Sequence, residues 1–214
     1  MNWDKEIGPV SDQMINLPWG NVEFYKSFIS QVYYFVRYST KMLAAAASVT
    51  ENPEYYKRLV SHIREEEGHE KLALADLKNL GGKIEDYPEF GITRALWEPQ
   101  FYKIQRSPAS LLGYILSLEM IPVHSYPEVL PKIRSTYGEK CVNFIRVHCE
   151  EDPAHVKDAI NQIQSMPAAE KVLIEKNFIQ TTEMMTHLLS EVVRRSALHG
   201  EDHQAATLPV KRSA

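Results

Sequence analysis

Helix-breaking residues occur in this chain at intervals of roughly 25 to 35 residues, and the segments between them show no alternation of apolar and polar positions. Glycine accounts for only nine of the 214 residues. Uninterrupted segments of this length are typical of helices, because strands are usually much shorter. The pattern therefore predicts an all-α chain, with a single domain over residues 1–200 and a disordered tail over residues 201–214.

Each predicted helix lies between a start signal and a stop signal. The helices cover residues 21–49, 53–79, 92–106, 109–121, 139–165 and 167–200. Pro122, Pro127 and Pro131 are expected to divide the chain after residue 121 into short pieces, because proline in a helix interior costs about 3 kcal/mol. Pro153 is expected to kink its helix for the same reason.

The composition argues against several classes of protein. A formal net charge of −4 gives no electrostatic reason to expect a nucleic acid or an anionic membrane as partner. Two cysteines cannot form a disulfide framework, and no apolar run approaches the ~20 residues that a membrane span needs. The first ten residues, MNWDKEIGPV, lack the apolar core of a signal peptide. We therefore expect a cytoplasmic protein.

Two segments repeat one arrangement of side chains, a histidine, an acid four positions later and a second histidine three positions after that. The two trios are His62, Glu66 and His69, and His148, Asp152 and His155. These offsets lie on one face of a helix, and apolar neighbours predict that both faces point inward. Buried polar groups need partners, and two facing trios would satisfy each other around divalent metal ions. Glu65, Glu67 and Glu70 fall elsewhere on the helix and are expected to be solvated.

Glu119 is the third element of the predicted site, because it is the only charged residue in the segment ASLLGYILSLEMIP. A carboxylate in such a segment is costly unless it is paired or bound to a metal. Four imidazoles and three carboxylates suit iron or manganese better than zinc, and seven ligands fit two metal ions better than one. The alternative is that the trios form charged surface patches and that Glu119 lies at a solvent-facing edge of its helix.

The chain resembles the heme-oxygenase-like di-iron oxidases, relatives of the TenA and PqqC proteins, over about residues 24–166. The segments that carry the resemblance are SQVYYFVRY, LVSHIREEEGHEKLALADLKNLGG, LLGYILSLE and FIRVHCEEDPAH. It implies a single-domain helical bundle of about seven helices. The metal ligands that it implies are His69, Glu119, His148, Asp152 and His155. The sixth position is His62 if the family's seven-residue spacing applies and Glu66 if the three-residue spacing applies; we favour Glu66, with His62 as an additional or replacement ligand.

The resemblance also implies a function. Two Fe(II) ions would activate O2 through a peroxo-di-iron(III) intermediate and oxidise a small carboxylate-bearing substrate such as an amino acid or a fatty acid. The reactions that the resemblance allows are C–C cleavage, desaturation, N-oxygenation and nitrile or alkene formation. No catalytic residue is expected beyond the metal ligands, whereas a homodimer and an external electron donor are both compatible with the family. Arg37, Arg146 and Tyr34 are the candidates for substrate binding.

Two other functions compete with this one. A ferritin-like di-metal carboxylate protein would use Glu66-x-x-His69, Glu119 and Asp152-x-x-His155, but the first helix lacks an acid at the place which that pattern requires. A metal-free TenA-like binding protein would have a polar pocket without iron. TenA-type thiamin hydrolases need a nucleophilic cysteine, and Cys149 is expected to point away from the ligand face.

Overall fold

The computed structural model describes the backbone of residues 1–206 and the side chains of residues 1–197. Within these residues the chain forms nine α-helices and no strand, which confirms the predicted all-α fold. The helices are α1 (Trp3–Ile15), α2 (Val22–Val36), α3 (Ser39–Val49), α4 (Pro53–Glu66), α5 (His69–Asn79), α6 (Gly91–Arg106), α7 (Leu111–Tyr137), α8 (Asn143–Ser165) and α9 (Ala168–Ala206). In this part of the chain we find no helix with the length and hydrophobicity of a membrane span.

The first helix, α1, occupies a segment for which no helix is predicted. It begins after Asn2, whose side chain accepts a hydrogen bond from the backbone N–H of Lys5 at 3.2 Å. Ile7, Val10 and Met14 recur at helical spacing and are buried. Because α1 packs against α7 and α9, it forms part of the core rather than a loose terminus.

Two of the predicted helices are each divided in the structure. Residues 21–49 form α2 and α3, which meet at Arg37 and Tyr38, and residues 53–79 form α4 and α5, which meet near Gly68. Gly68 has a φ of 95°, a left-handed conformation that glycine adopts without steric cost. When each divided pair is counted as one bent segment, the described residues contain seven helical segments, as predicted.

One helix of the core, α7, is continuous over 27 residues although it contains Pro122, Pro127 and Pro131. The prediction that these prolines divide the segment is therefore wrong. Each proline removes one N–H from the helical hydrogen bonds, but α7 packs against α1, α8 and α9. These tertiary contacts maintain a helix that local propensity disfavours. α8 is likewise continuous through Pro153.

The contact between α7 and α9 is unusually close at Gly113. A Cβ atom on this residue would lie 2.1 Å from the carbonyl oxygen of Ile174 and 2.8 Å from the backbone nitrogen of Phe178. Only glycine therefore permits this approach of the two helix backbones. α9 continues to Ala206, beyond the predicted boundary at residue 200. Residues 207–214 lie outside the described residues, so the disordered tail stays a prediction.

The beginning of α8 is fixed by Asp76 of α5, which is fully buried. Its carboxylate accepts hydrogen bonds from the backbone N–H groups of Asn143 and Phe144, at 3.0 and 2.8 Å. The charge also stabilises the positive end of the α8 dipole. This contact fixes the register between the two helices that carry the predicted ligands His69 and His148.

Candidate metal centre

The seven predicted ligands lie together among α4, α5, α7 and α8. Six of them form two groups, and within each group the three ligand atoms lie within 4.8 Å of one another. One group is His62, Glu119 and His155, and the other is Glu66, His69 and His148. The seventh residue, Asp152, lies beside the first group, with its Oδ1 atom 3.7 Å from Nδ1 of His155.

Glu119 is the centre of the first group. Its Oε1 atom lies 3.2 Å from Nε2 of His62 and 3.6 Å from Nδ1 of His155. Two ligands that each lie about 2.1 Å from one metal ion are separated by roughly 3.0 to 3.5 Å at angles of 90 to 110°. The spacing of the three side chains is therefore close to that of a metal site.

Glu66 belongs to the second group and also contacts the first. Its Oε1 atom is 3.5 Å from Nε2 of His62, and its Oε2 atom is 3.7 Å from Nδ1 of His69. The structure places the side chains of both His62 and Glu66 at the centre, so both stay candidate ligands. The turn at Gly68 makes this possible, since it places His69 at the start of a separate helix.

Several polar atoms of the centre are buried and have no hydrogen bond partner among the described residues. They are Nε2 of His62, Nδ1 of His69, Nδ1 of His155, both carboxylate oxygens of Glu119, and Oδ2 of Asp152. Buried polar atoms in folded proteins are nearly always paired, so a group of this size requires an explanation. Nitrogen and carboxylate donors in this ratio fit iron or manganese, and the residues present therefore fit the metal that the sequence predicts.

The electrostatics of the centre reflect its excess of buried carboxylates. Burial alone would lower the pKa of His62, but the neighbouring Glu119 and Glu66 overcome this effect and raise it to about 10. Burial and the negative charge of Glu119 raise the pKa of Asp152 well above its ordinary value. Without cations Asp152 thus favours its protonated form and His62 holds a proton, and bound metal ions would take the place of those protons.

His148 is held in one orientation by its own helix. Its Nδ1 atom lies 2.8 Å from the carbonyl oxygen of Phe144, and its ring stacks on the Phe144 ring with centroids 4.0 Å apart. Because a carbonyl only accepts, Nδ1 carries the proton and the lone pair belongs to Nε2. Burial lowers the pKa of His148 to about 4, so the ring is neutral and able to bind a metal.

Two acids that were not predicted contact the outer nitrogens of the histidines. Oε2 of Glu65 lies 3.3 Å from Nε2 of His155, and Oε2 of Glu151 lies 3.7 Å from Nε2 of His69. Glu65 is exposed, as expected, with 43% of its side chain accessible, but it also makes a contact with His155 that was not predicted. Each acid contacts a histidine on a different helix, so the periodicity of a single segment contains no signal for either contact.

A cavity of about 80 Å³ adjoins the centre. Five of the predicted ligands lie at its polar end, and most of the remaining lining is aliphatic or aromatic. Tyr114 also lines the cavity, and its hydroxyl group is buried with no hydrogen bond partner in the described part of the chain. Burial, and to a lesser degree Glu66, raise the pKa of Tyr114, so this phenol keeps its proton.

The three residues predicted to bind substrate lie away from this cavity. The hydroxyl of Tyr34 donates to the carbonyl oxygen of Ile84 at 3.4 Å. The Arg37 guanidinium donates to the Tyr38 hydroxyl at 3.0 Å and lies over the rings of the neighbouring tyrosines. Arg146 pairs with Glu150 at 3.4 Å. The structure thus does not bring Arg37, Arg146 or Tyr34 to the cavity, because their partners hold them elsewhere.

Comparison with known proteins adds three findings. The profile of a family described as "Iron-containing redox enzyme" matches residues 26–188, a range that includes all seven predicted ligands. The structure is similar to that of a domain of unknown function with a heme oxygenase-like fold from Shewanella denitrificans OS217, with a TM-score of 0.76 and 19% identity over 99% of this chain and 96% of that chain. It is also similar to a TenA homolog from Pseudomonas syringae pv. tomato, with a TM-score of 0.70 and 11% identity over 90% of this chain and 91% of that chain.

These structural similarities confirm the predicted heme-oxygenase-like fold. At such low identity they bear on the fold alone. A search of curated protein sequences finds no match.

Proposed function

Because the chain belongs to the family of iron-containing redox enzymes, we propose that it is a non-heme di-iron oxygenase that uses O2 to oxidise a small carboxylate-bearing substrate. The observation that carries this proposal is the presence of two adjacent groups of buried or partly buried ligand residues, most of which have a ligand atom without a hydrogen bond partner among the described residues. A single metal ion would leave one group unsatisfied, whereas two ions would satisfy both.

The positions of the side chains assign a role to each proposed ligand. His62, Glu119 and His155 would hold one iron ion, and Glu66, His69 and His148 the other. Since the two oxygens of Glu66 face different groups, Glu66 would help to hold both ions. Asp152 would complete the coordination beside His155. When bound, the two Fe(II) ions supply electrons for the reduction of O2.

The remaining chemistry belongs to the protein. The apolar lining of the cavity excludes bulk water from the substrate, which strengthens electrostatic interactions at the centre and suppresses side reactions. The hydroxyl of Tyr114 remains protonated within this lining and offers a proton or a hydrogen bond to a group in the cavity. The peptide carbonyl of Phe144 holds the His148 ring in the tautomer that presents Nε2 as a ligand.

The competing functions differ in what they require of the fold and of the centre. A ferritin-like protein requires a four-helix bundle with a different ligand pattern, and the heme-oxygenase-like fold leaves that alternative without support. A metal-free binding protein would leave the buried donor atoms of the centre without partners. The cytoplasmic location, the homodimer and the external electron donor stay predictions.

Anaerobic reconstitution with Fe(II), followed by exposure to O2, tests the proposal. We expect about two iron ions per chain and consumption of O2, both of which His148→Ala should reduce strongly. His187→Ala is the matched control, because His187 is exposed on α9 and belongs to neither group. If the wild-type protein binds no iron and consumes no O2, the metal-free alternative is correct.

A further inference from the structure

One lysine of α6 is half-buried without an acidic partner. The ammonium group of Lys103 donates a hydrogen bond to Oδ1 of Asn177 on α9. Among the described residues no carboxylate pairs with Lys103, whereas Lys26 and Lys57 pair with glutamates at 2.9 and 2.8 Å. Lys103 is therefore a partly buried cation whose partner is a neutral amide.

The amide that faces Lys103 is held in one orientation. Asn177 is 2% exposed, and its Nδ2 group donates to Oε1 of Gln100 and to the carbonyl oxygen of Ser110, both at 2.8 Å. Because these two bonds use the N–H groups of the amide, Oδ1 is the atom that remains for Lys103. The ammonium group thus lies at the outer end of a buried network of amides and a backbone carbonyl, none of which carries a charge.

Two hydroxyl groups at this network are buried and have no hydrogen bond partner in the described part of the chain, those of Ser107 and Ser110. Ser110 joins the network through its carbonyl oxygen. Ser107 follows Lys103 by one helical turn, and its N–H donates to the carbonyl oxygen of Lys103 at 2.8 Å. Since buried hydroxyl groups are nearly always paired, these two point to a missing acceptor, and a carbonyl oxygen bound beside Lys103 would offer them one.

The burial of Lys103 also favours its reactive form. Burial lowers the pKa of Lys103 to about 8, and no charged neighbour contributes to this shift. At pH 7.5 about a quarter of a group with this pKa is unprotonated, against about 0.1% of an ordinary lysine. Only the unprotonated amine is a nucleophile, and the half-buried side chain still reaches solvent.

The surroundings of Lys103 suit an amide better than an ammonium group. Transfer of an acyl group to Nζ removes the partly buried charge and leaves one N–H, which still donates to Oδ1 of Asn177. The neutral imine that an aldehyde would form has no N–H, and it would leave that buried oxygen unpaired. The site therefore favours acyl donors over aldehydes.

From this placement we infer that Lys103 is a modification site that accepts a small acyl group from an acyl phosphate. The lone pair of Nζ attacks the acyl carbon, and a C–N bond forms. The C–O bond to the phosphate breaks, phosphate leaves with that electron pair, and the amine loses a proton to solvent. The step needs no oxidant, reductant or metal ion, so the inference is independent of the candidate metal centre.

Peptide mass spectrometry of the full chain after incubation with acetyl phosphate tests the inference. Lys71 and Lys132 are internal controls, because both are exposed. At pH 7.5 we expect Lys103 to be acetylated at least about fivefold faster than either control. Its rate should level off above about pH 9, whereas the rate at an ordinary exposed lysine continues to rise to about pH 10. Acetylation of Lys103 that is no faster than that of the controls overturns the inference.

A variant tests whether the missing carboxylate is the cause. Asn177→Asp places a carboxylate against Lys103, which should stabilise the ammonium form and slow its acetylation at least about fivefold at pH 7.5. Asn21→Asp adds the same charge at the exposed N-cap of α2 and should not change the rate. An unchanged rate at Lys103 in Asn177→Asp, with the helical circular dichroism of the wild type, would overturn the inference. If Asn177→Asp does not fold, the comparison with the two control lysines in the wild-type chain decides it alone.

Discussion

Replacing Glu65 by glutamine should weaken metal binding even though Glu65 would not touch the metal. Its Oε2 atom lies 3.3 Å from Nε2 of His155, and the other ring nitrogen, Nδ1, faces Glu119 and Asp152. A carboxylate at this distance accepts the proton of Nε2, which leaves the lone pair of Nδ1 directed at the metal and makes the ring a stronger ligand. Glutamine keeps the shape and removes the charge.

The size of the expected loss of metal affinity depends on how exposed the Glu65 side chain is. Loss of a carboxylate behind a metal-bound histidine usually weakens metal binding by 10- to 100-fold. Because the Glu65 side chain is 43% exposed, solvent screens its charge, and we expect the lower end of that range. A tenfold loss corresponds to about 1.4 kcal/mol. Glu151→Gln should have a smaller effect, since its oxygen lies 3.7 Å from the ring nitrogen of His69.

Anaerobic titration with Fe(II), together with the visible spectrum of the Co(II)-loaded protein, measures this effect. The spectrum reports on ligand geometry, which a general loss of stability would leave unchanged. Glu67→Gln is the matched control, because Glu67 belongs to the same acidic run and is exposed. If Glu65→Gln and Glu67→Gln bind metal with the same affinity and give the same spectrum, Glu65 does not position His155.

Three further predictions concern the fold and the metal. Gly113→Ala should lower the free energy of unfolding by about 1–3 kcal/mol in urea titrations, because its Cβ would lie 2.1 Å from the carbonyl oxygen of Ile174. The control is Gly8→Ala, whose Cβ would have no atom within 4 Å and which should be neutral or stabilising by up to about 1 kcal/mol. A stabilised Gly113→Ala would contradict the close approach of α7 and α9. Glu119→Ala should reduce iron content from about two ions per chain to about one or none, and an unchanged content would remove Glu119 from the centre. Chelation of metal from protein kept in free metal at about 100 times the dissociation constant should remove about 2.7 kcal/mol for each bound ion, and each loss should lower Tm by about 5–11 °C. The Tm of His148→Ala should respond less, and an equal response would contradict its role as a ligand.

The grouping of the candidate ligands was more predictable than the path of the helices that carry them. His62, Glu66 and His69 all belong to the two groups of candidate ligands, as their helical spacing predicts. This holds although the turn at Gly68 ends α4 and places His69 at the start of α5. Glu119 could be predicted for a different reason, since an isolated acid in an apolar helix needs a buried partner. Each of these residues was identified because it is polar while the neighbouring residues on its predicted helical face are apolar.

The features that were not predicted depend on contacts between distant segments. α7 remains helical through Pro122, Pro127 and Pro131 because neighbouring helices pack against it, and no local rule contains that information. The contact between Glu65 and His155 joins α4 to α8, two helices that are far apart in the sequence, so no helical spacing predicts it. α1 is a different case, because the cap at Asn2 and the spacing of its buried residues can be read from the sequence.

Anomalous diffraction from crystals grown with Fe(II) under anaerobic conditions tests the central claim most directly. Data collected on both sides of the iron absorption edge should show two peaks roughly 3.5–4 Å apart, as in other two-metal sites. One peak should lie among His62, Glu119 and His155, and the other among Glu66, His69 and His148. A single peak, or iron bound anywhere other than these two groups, would contradict the di-iron assignment.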